Sequence, residues 1–298
     1  MKKYSVLINP RSGKNRIEAM IEKLKEMLLD AELKFYNILE VEDYPSFLAG
    51  LAENEHIILA GGDGTINHFI NDTDGLVIDK DIYYYAMGSG NDFFHDIGKK
   101  MGDAPVKINE YLHHLPRVTI NDKEMLFFNG VGFGVDGFVC EEGSRLRELT
   151  KKPINYTTVA LKALFFQFKP RAAKVTVDGV SKTYQKVWLL PVMQGRYCGG
   201  GMMFTPDQDR LNPNHTVSVM VVHTVGKLRL LTIFPQVFKG THMKYRQYID
   251  LFEGHEVEIE FFEPTSLQID GEPFGRLTKH RVKAVLPVKT EEKDAVTA

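Results

Sequence analysis

The sequence predicts an N-terminal α/β domain on a parallel sheet, three layers deep, followed by a mainly antiparallel β-sandwich domain. Three observations carry that prediction. Apolar runs alternate with helical periodicity through the first third of the chain. Glycine-bearing loops fall directly after three of those runs. From about residue 117 the texture changes to repeated strand candidates separated by turn residues.

In order, residues 4–8 read as a buried strand, and Ile17, Met20, Ile21, Leu24, Met27 and Leu28 then keep helical spacing. Residues 33–39 are strand-like, 44–52 helical and 56–59 strand again. A helix is expected over about 65–71, a strand over 82–86 and a helix opening near Asn91. Strands alternating with helices predict a parallel sheet covered on both faces, with ligands beyond the carboxyl ends of the strands. Asn9-Pro10-Arg11-Ser12-Gly13, Gly61-Gly62-Asp63-Gly64-Thr65 and Gly88-Ser89-Gly90-Asn91 all fall on that rim.

The central loop is the most specific of the three. Glycines let backbone N–H groups approach an anion, and a helix N-terminus adds a partial positive charge. Asp63 alone would repel phosphate, so a divalent cation is the expected reason for it. The first loop is not a Walker A motif, which would need a glycine at Ile8 and a hydroxyl at Asn15.

In the second domain, residues 117–120, 125–129, 173–177, 184–192, 217–223, 257–261 and 282–286 are strand candidates, and Asp178-Gly179 suits a hairpin turn. Helices are expected near 138–149, 153–168 and 227–238. The segment 153–168 is apolar on nearly every face, which fits a buried helix or one lining a groove for acyl chains. Gly132, Gly134 and Gly137 spell G-x-G-x-x-G, but no acid follows between residues 150 and 160 to hold a ribose, which argues against a dinucleotide fold. Asp270-Gly271-Glu272 ends a strand with two acids, either of which would serve as a general base. Domains are expected at 1–116 and 117–288, with a polar tail at 289–298.

Composition sets the outer bounds. The chain has 298 residues, 43% apolar and 26% charged, as in an ordinary soluble protein. A net charge of −2 argues against a nucleic-acid binder that relies on bulk positive charge. Cys140 and Cys198 are far apart, form no C-x-x-C pair and point to a reducing cytoplasm. The histidines show no metal-binding spacing. No signal core opens the chain, and no apolar run is long enough to span a bilayer, so membrane contact is expected to be peripheral.

Taken together, the motifs resemble the diacylglycerol kinase catalytic family, in particular its bacterial soluble lipid kinases. The resemblance rests on the ordered set: N-P-x-S-G, G-G-D-G-T, then Met87-Gly88-Ser89-Gly90-Asn91-Asp92-Phe93. Residues 128–136 (F-N-G-V-G-F-G-V-D), 199–206 (G-G-G-M-M-F-T-P) and Asp270-Gly271-Glu272-Pro273 complete it. It implies a phosphofructokinase- and NAD-kinase-like first domain, with ATP and magnesium held between that domain and a lipid-binding sandwich. Asn9, Ser12, Gly13, Gly61, Gly62, Asp63, Gly64, Thr65, Asn67, Gly88, Ser89 and Asn91 would hold the nucleotide. Asp63 would organise magnesium, and Asp270 or Glu272 would be the base. A lipid at a peripheral membrane surface would be the acceptor, with a homodimer through an open sheet edge a further expectation.

The chain departs from the family at His68, where a glutamate usually follows Asn67, and at Ala86, where proline is common. Asn214 stands where an aspartate supplies a structural magnesium, leaving the backbone oxygens of Leu211 and Thr216. Two other readings fit parts of the pattern: a kinase of a soluble acceptor such as NAD, and a catalytically weakened lipid- or nucleotide-binding protein.

Overall fold

The computed structural model describes residues 1–12, 17–88, 90–150 and 156–286. Its first sheet is formed by β1 (Lys2–Ile8), β2 (Ala31–Asn37), β3 (Glu55–Gly61), β4 (Ile82–Ala86) and β5 (Val106–Lys107), in the order β2-β1-β3-β4-β5. The first four run parallel and β5 antiparallel. Parallel neighbours need crossovers. These are supplied by α1 (Ile17–Met27), α2 (Tyr44–Ala49) and α3 (Asp63–Asp72), with the short α4 (Asp92–Asp96) after β4.

Strand pleating sorts the side chains into two cores. Val6, Ile58, Ala60 and Tyr85 pack with Leu24 of α1 on one face. Leu7, Ile57, Leu59 and Tyr84 pack on the other with Tyr44, Ile66, Phe69 and Phe93 from α2, α3 and α4. The result is a three-layer domain. Phe69 is 1% exposed, so Phe69→Ala would cost about 3–5 kcal/mol and loosen the helix that carries the glycine loop.

The second sheet is antiparallel. Its strands are β6 (Arg117–Ile120), β7 (Lys123–Leu126), β8 (Gly130–Gly134), β9 (Arg171–Val177), β10 (Val180–Met193), β13 (Val217–His223), β14 (Ile249–Gly254), β15 (Glu256–Ile269) and β16 (Glu272–Lys283). Between them, β11 (Tyr197–Cys198) and β12 (Met202–Met203) form a small ribbon. β8 and β9 each bridge the long strands β10 and β15, at different levels. Asp178 and Gly179, both at positive φ (46° and 82°), make the β9–β10 turn. Phe133, Leu190, Val219, Ile259 and Phe261 fill the core.

Three helices cover this sheet: α5 (Val135–Thr150), α6 (Tyr156–Lys162), which runs into a π-helical turn at Ala163–Gln167, and α7 (Lys227–Val237). Gly137 lets α5 lie directly on β15, since a Cβ there would sit 2.3 Å from the Ser266 carbonyl oxygen.

The sequence pattern missed β8 and β14 and most of β16. β8 reads Gly-Val-Gly-Phe-Gly, which strand propensity disfavours, yet a side chain at Gly132 would strike the Asp136 carboxylate at 2.1 Å. The helix expected over 153–168 is present from Tyr156. Residues 153–155 lie outside the described residues.

Candidate active site

The three strand-end loops meet through backbone contacts. Asn9 donates from its N–H to the Ala60 carbonyl and from its side-chain amide to the Thr65 hydroxyl (3.0 and 3.1 Å). Its side-chain oxygen accepts from the Arg11 N–H, and the Ser12 hydroxyl accepts from the Gly62 N–H. The Met87 and Gly88 N–H groups donate to the Gly61 carbonyl (2.7 and 3.1 Å). Gly88 must be glycine here, because a Cβ would lie 2.7 Å from the Gly62 Cα. Gly62 caps α3 with no side-chain hydrogen bond, and the Thr65 N–H turns back to the Gly62 carbonyl at 2.9 Å. Gly13 and Ser89 lie outside the described residues.

Asp63 has a structural partner as well as its expected cation. Its carboxylate accepts the Asp92 and Phe93 N–H groups, both at 3.0 Å, and so caps α4. The Asp92 carboxylate in turn accepts the N–H groups of Gly200 and Gly201 (3.0 and 2.7 Å). Gly199, Gly200 and Gly201 all hold positive φ (68°, 83° and 96°), which turns the Gly200 and Gly201 N–H groups onto one carboxylate and strongly favours glycine. Burial, and then the charge of Asp63, push Asp92 up to about 7.

One turn on, Asp96 is enclosed by the second domain. Arg196 and Arg210 both pair with its carboxylate, and Arg210 reaches on to the Phe128 carbonyl and the Asn129 side-chain oxygen.

Asp270 closes the circuit. It sits at φ 48° in a tight turn with Gly271 at φ 87°. Its carboxylate accepts the N–H groups of Phe128, Asn129 and Gly130 (2.6, 2.7 and 2.9 Å) and the Asn67 side-chain amide (2.7 Å). Burial still lifts Asp270 above the ordinary carboxylate range, against those four donors. The Gln268 side chain accepts from the Gly271 N–H and donates to Asp136, each at 2.7 Å, and burial raises Asp136 to about 6. Glu272 is exposed, its carboxylate makes no hydrogen bond among the described residues, and it stands over Gly64, where a Cβ would be 3.6 Å from its Oε1.

Asn9, Ser12, Gly62–Thr65, Gly88, Asp270 and Glu272 border a single cavity of about 1020 Å³. Its far wall is apolar, with Leu164, Trp188, Leu230, Ile233 and Phe234 from α6, α7 and β10 or the turns beside them. His68 lines the same cavity, one helical turn beyond Gly64. Asn67 faces Asp270, and Asn91 hydrogen-bonds the Gly88 carbonyl.

The loop expected to hold a structural cation is closed by protein donors. The Thr216 carbonyl accepts from the side chains of Gln208 and Asn212 (2.9 and 3.2 Å), which engages both lone pairs. The Asn214 carbonyl accepts from His255 Nε2 at 2.8 Å, and Leu211 is exposed. The backbone carbonyls of Asn214 and Thr216 are thus engaged by protein donors. Among the described residues, no cluster of three or more His, Cys, Asp or Glu could hold a metal.

Sequence reasoning passed over Asp92, Asp96, Asp136, Arg196 and Arg210. Asp92 lay inside a recognised motif and was the accessible signal. The others act through contacts about 100 residues or more apart in sequence, such as Asp96 with Arg196 and Arg210, or Asp136 with Gln268.

A parallel-sheet domain presenting phosphate-shaped loops, joined through one cavity to an antiparallel domain with an apolar recess, has the build of a two-domain lipid kinase. Family comparison agrees. Residues 3–119 match the diacylglycerol kinase catalytic domain, and residues 129–289 match the YegS C-terminal NAD kinase beta sandwich-like domain. The chain belongs to the bacterial diacylglycerol kinase-like lipid kinase family. Its relatives include a diacylglycerol kinase of Bacillus subtilis (strain 168), 24% identical over 93% of this chain and 92% of that protein. One from Mycobacterium tuberculosis (strain ATCC 25618 / H37Rv) is 22% identical over 63% of this chain and 61% of its own. A crystal structure of a diacylglycerol kinase from Bacillus anthracis str. Sterne shares the fold, with a TM-score of 0.59 at 18% identity, covering 96% of this chain and 94% of that one.

Proposed function

We propose that the chain transfers the γ-phosphoryl group of ATP, with magnesium, to a primary hydroxyl of diacylglycerol or a related lipid. The observation that carries this is the single cavity that joins the glycine loops to an apolar recess, with the Asp270-Gly271-Glu272 turn between them. In this reading residues 1–116 hold the nucleotide and residues 117–288 the lipid at a membrane surface. The apolar wall also counts against a dinucleotide as acceptor.

The nucleotide phosphates would lie against the Asn9–Ser12 loop and the open N-terminus of α3. The site suits magnesium that arrives with the nucleotide. Asp63 and Asp92 crowd negative charge at the rim, and the Asn91 side-chain oxygen is buried without a partner among the described residues. Magnesium usually takes one or two carboxylates plus substrate phosphates. Bound there by Asp63, it would neutralise charge on the transferring group.

The chain's own groups do the rest. Backbone N–H groups orient the phosphates, the apolar wall orients the acyl chains and excludes water, and a carboxylate of the D-G-E turn takes the hydroxyl proton. As that proton leaves, the lipid oxygen bonds to phosphorus and the bridging oxygen departs with ADP. Such positioning and proton transfer are each worth orders of magnitude in rate.

Purified protein, labelled ATP, magnesium and vesicles containing diacylglycerol test the reading. Labelled lipid is expected, with loss of turnover in Asp63→Ala. No labelled lipid, or undiminished labelling in that variant, would overturn it. Asp270→Asn and Glu272→Gln assign the base. Its loss abolishes kcat while leaving ATP binding intact, whereas loss of the other member leaves substantial turnover.

A further inference from the structure

The Asp270 carboxylate has no acceptor capacity left for a substrate proton. Its Oδ1 accepts the N–H groups of Asn129 and Gly130, and its Oδ2 accepts that of Phe128 and the Asn67 side-chain amide. A carboxylate offers about four lone-pair sites, so all are taken. The residue is also 6% exposed and held at φ 48° by its turn. To take a proton from a hydroxyl it would have to release one of these buried donors and leave it without a partner.

The donors tie the turn to the nucleotide-loop helix. Asn67 and Asn71 lie one turn apart on α3, whose first turn follows the glycine loop. Asn71 accepts the Leu126 N–H and donates to the Leu126 carbonyl (2.9 and 3.0 Å). Asn67 reaches that carbonyl and Asp270 together (3.3 and 2.7 Å). This face of α3 therefore grips Leu126 and the Asp270–Gly271 turn at once, which fixes the turn relative to the α3 N-terminus.

Glu272, two residues on, is placed differently. Asp63, Asp92, Asp136, Asp270 and Glu272 all border the cavity. Among these five, Glu272 alone is exposed, and its carboxylate alone accepts no hydrogen bond among the described residues. Its Oε1 would stand 3.6 Å from a Cβ at Gly64, beside the start of α3.

We infer that Glu272 alone accepts the hydroxyl proton. Asp270 is a positioning residue that, through Asn67, holds the turn carrying Glu272 over the α3 N-terminus. This rests on the lipid-kinase reading for its substrates. The acceptor oxygen bonds to phosphorus as its proton passes to a Glu272 oxygen. The bond from phosphorus to the bridging oxygen breaks, and its electron pair leaves with ADP.

The test joins kinetics on a short-chain diacylglycerol, with labelled ATP and magnesium, to amide hydrogen exchange of the protein alone. Glu272→Gln should lower kcat by about 10²-fold or more at unchanged KM, and acetate should restore part of the turnover lost in Glu272→Ala. Asp270→Asn keeps an oxygen for two of the four donors but sets an NH2 group against the others. It should raise KM for lipid and retain a larger share of kcat than Glu272→Gln. It should also speed exchange at Phe128, Asn129 and Gly130, which Glu272→Gln should leave protected. Acetate should not rescue Asp270→Ala, whose site is buried. Rescue of Asp270→Ala but not of Glu272→Ala, or full turnover in Glu272→Gln, overturns the proton assignment and leaves the kinase reading intact. Unchanged exchange in Asp270→Asn overturns the positioning role. A wild type that labels no lipid sinks the functional reading and the proton assignment with it, and the exchange result then decides the positioning role alone.

Discussion

Asp136 should make the stability of this protein fall as pH rises through the slightly acid range. It is a fully buried carboxyl whose only hydrogen bond among the described residues is the one from Gln268, and burial outweighs that bond to raise it to about 6. In the unfolded chain an aspartate titrates near its ordinary value of about 3.9. The native state therefore binds the proton more tightly. The stabilisation is fully present below the unfolded value and is lost as pH rises through about 6.

Integrating the two titrations between pH 5 and pH 8 gives a loss of about 1.4 kcal/mol from this one group. Asp92 titrates in the same direction, so the measurement must be differential. Urea unfolding of the wild type and Asp136→Asn at several pH values isolates the contribution, because asparagine can retain the Gln268 bond and does not titrate. The wild type should lose about 1.4 kcal/mol more than the variant over that interval. Parallel stability curves would refute the argument, and so would a wild type that gains stability as pH rises. Gln268 also fixes the Gly271 N–H, so the variant reports on the anchoring of the D-G-E turn as well.

Arg210→Met should cost about 3–5 kcal/mol in urea unfolding, because Asp96 would stay buried with only the more exposed Arg196 to balance it; a loss below about 1 kcal/mol would show that the pair is dispensable. Gly61→Ala would place a Cβ 2.0 Å from the Thr65 hydroxyl, so it should destabilise by about 1–3 kcal/mol and weaken ATP binding by breaking the Asn9–Thr65 bond; calorimetry showing wild-type affinity would contradict this. Nucleotide-free protein should melt at the same temperature in EDTA as in magnesium, while His255→Ala should lower the Tm by removing the donor to Asn214; a clear drop in EDTA would mean that a cation, and not the Gln208, Asn212 and His255 donors, closes that loop.

How far the sequence can be read follows from the range of each interaction. The three glycine loops were legible because their chemistry is local: a strand ends, a glycine permits close backbone approach, and a helix begins. The strand at Ile82–Ala86 and that at Val217–His223 were legible for the same reason, since both runs are mostly apolar. β8 was not, because Gly130, Gly132 and Gly134 are chosen by what lies across the sheet, namely Met193, Asp136 with Gln268, and the Trp188 carbonyl. Asp63 shows the same limit at the site. Its neighbours in sequence suggested only a cation, whereas the fold brings the α4 N–H groups to it and passes the constraint through Asp92 to Gly200 and Gly201 of the second domain. In the proposed function, an acid that both caps a helix and faces the nucleotide loops would link nucleotide binding to domain geometry. Replacing it would perturb the Asp92–glycine contact together with catalysis. The separation is made by Gly201→Ala, which strains that contact at φ 96° while leaving the Asp63 carboxylate in place. If the contact positions the second domain, KM for lipid should rise with ATP affinity unchanged; equal loss of both would mean that the α4 cap, rather than the interdomain contact, is what Asp63 serves.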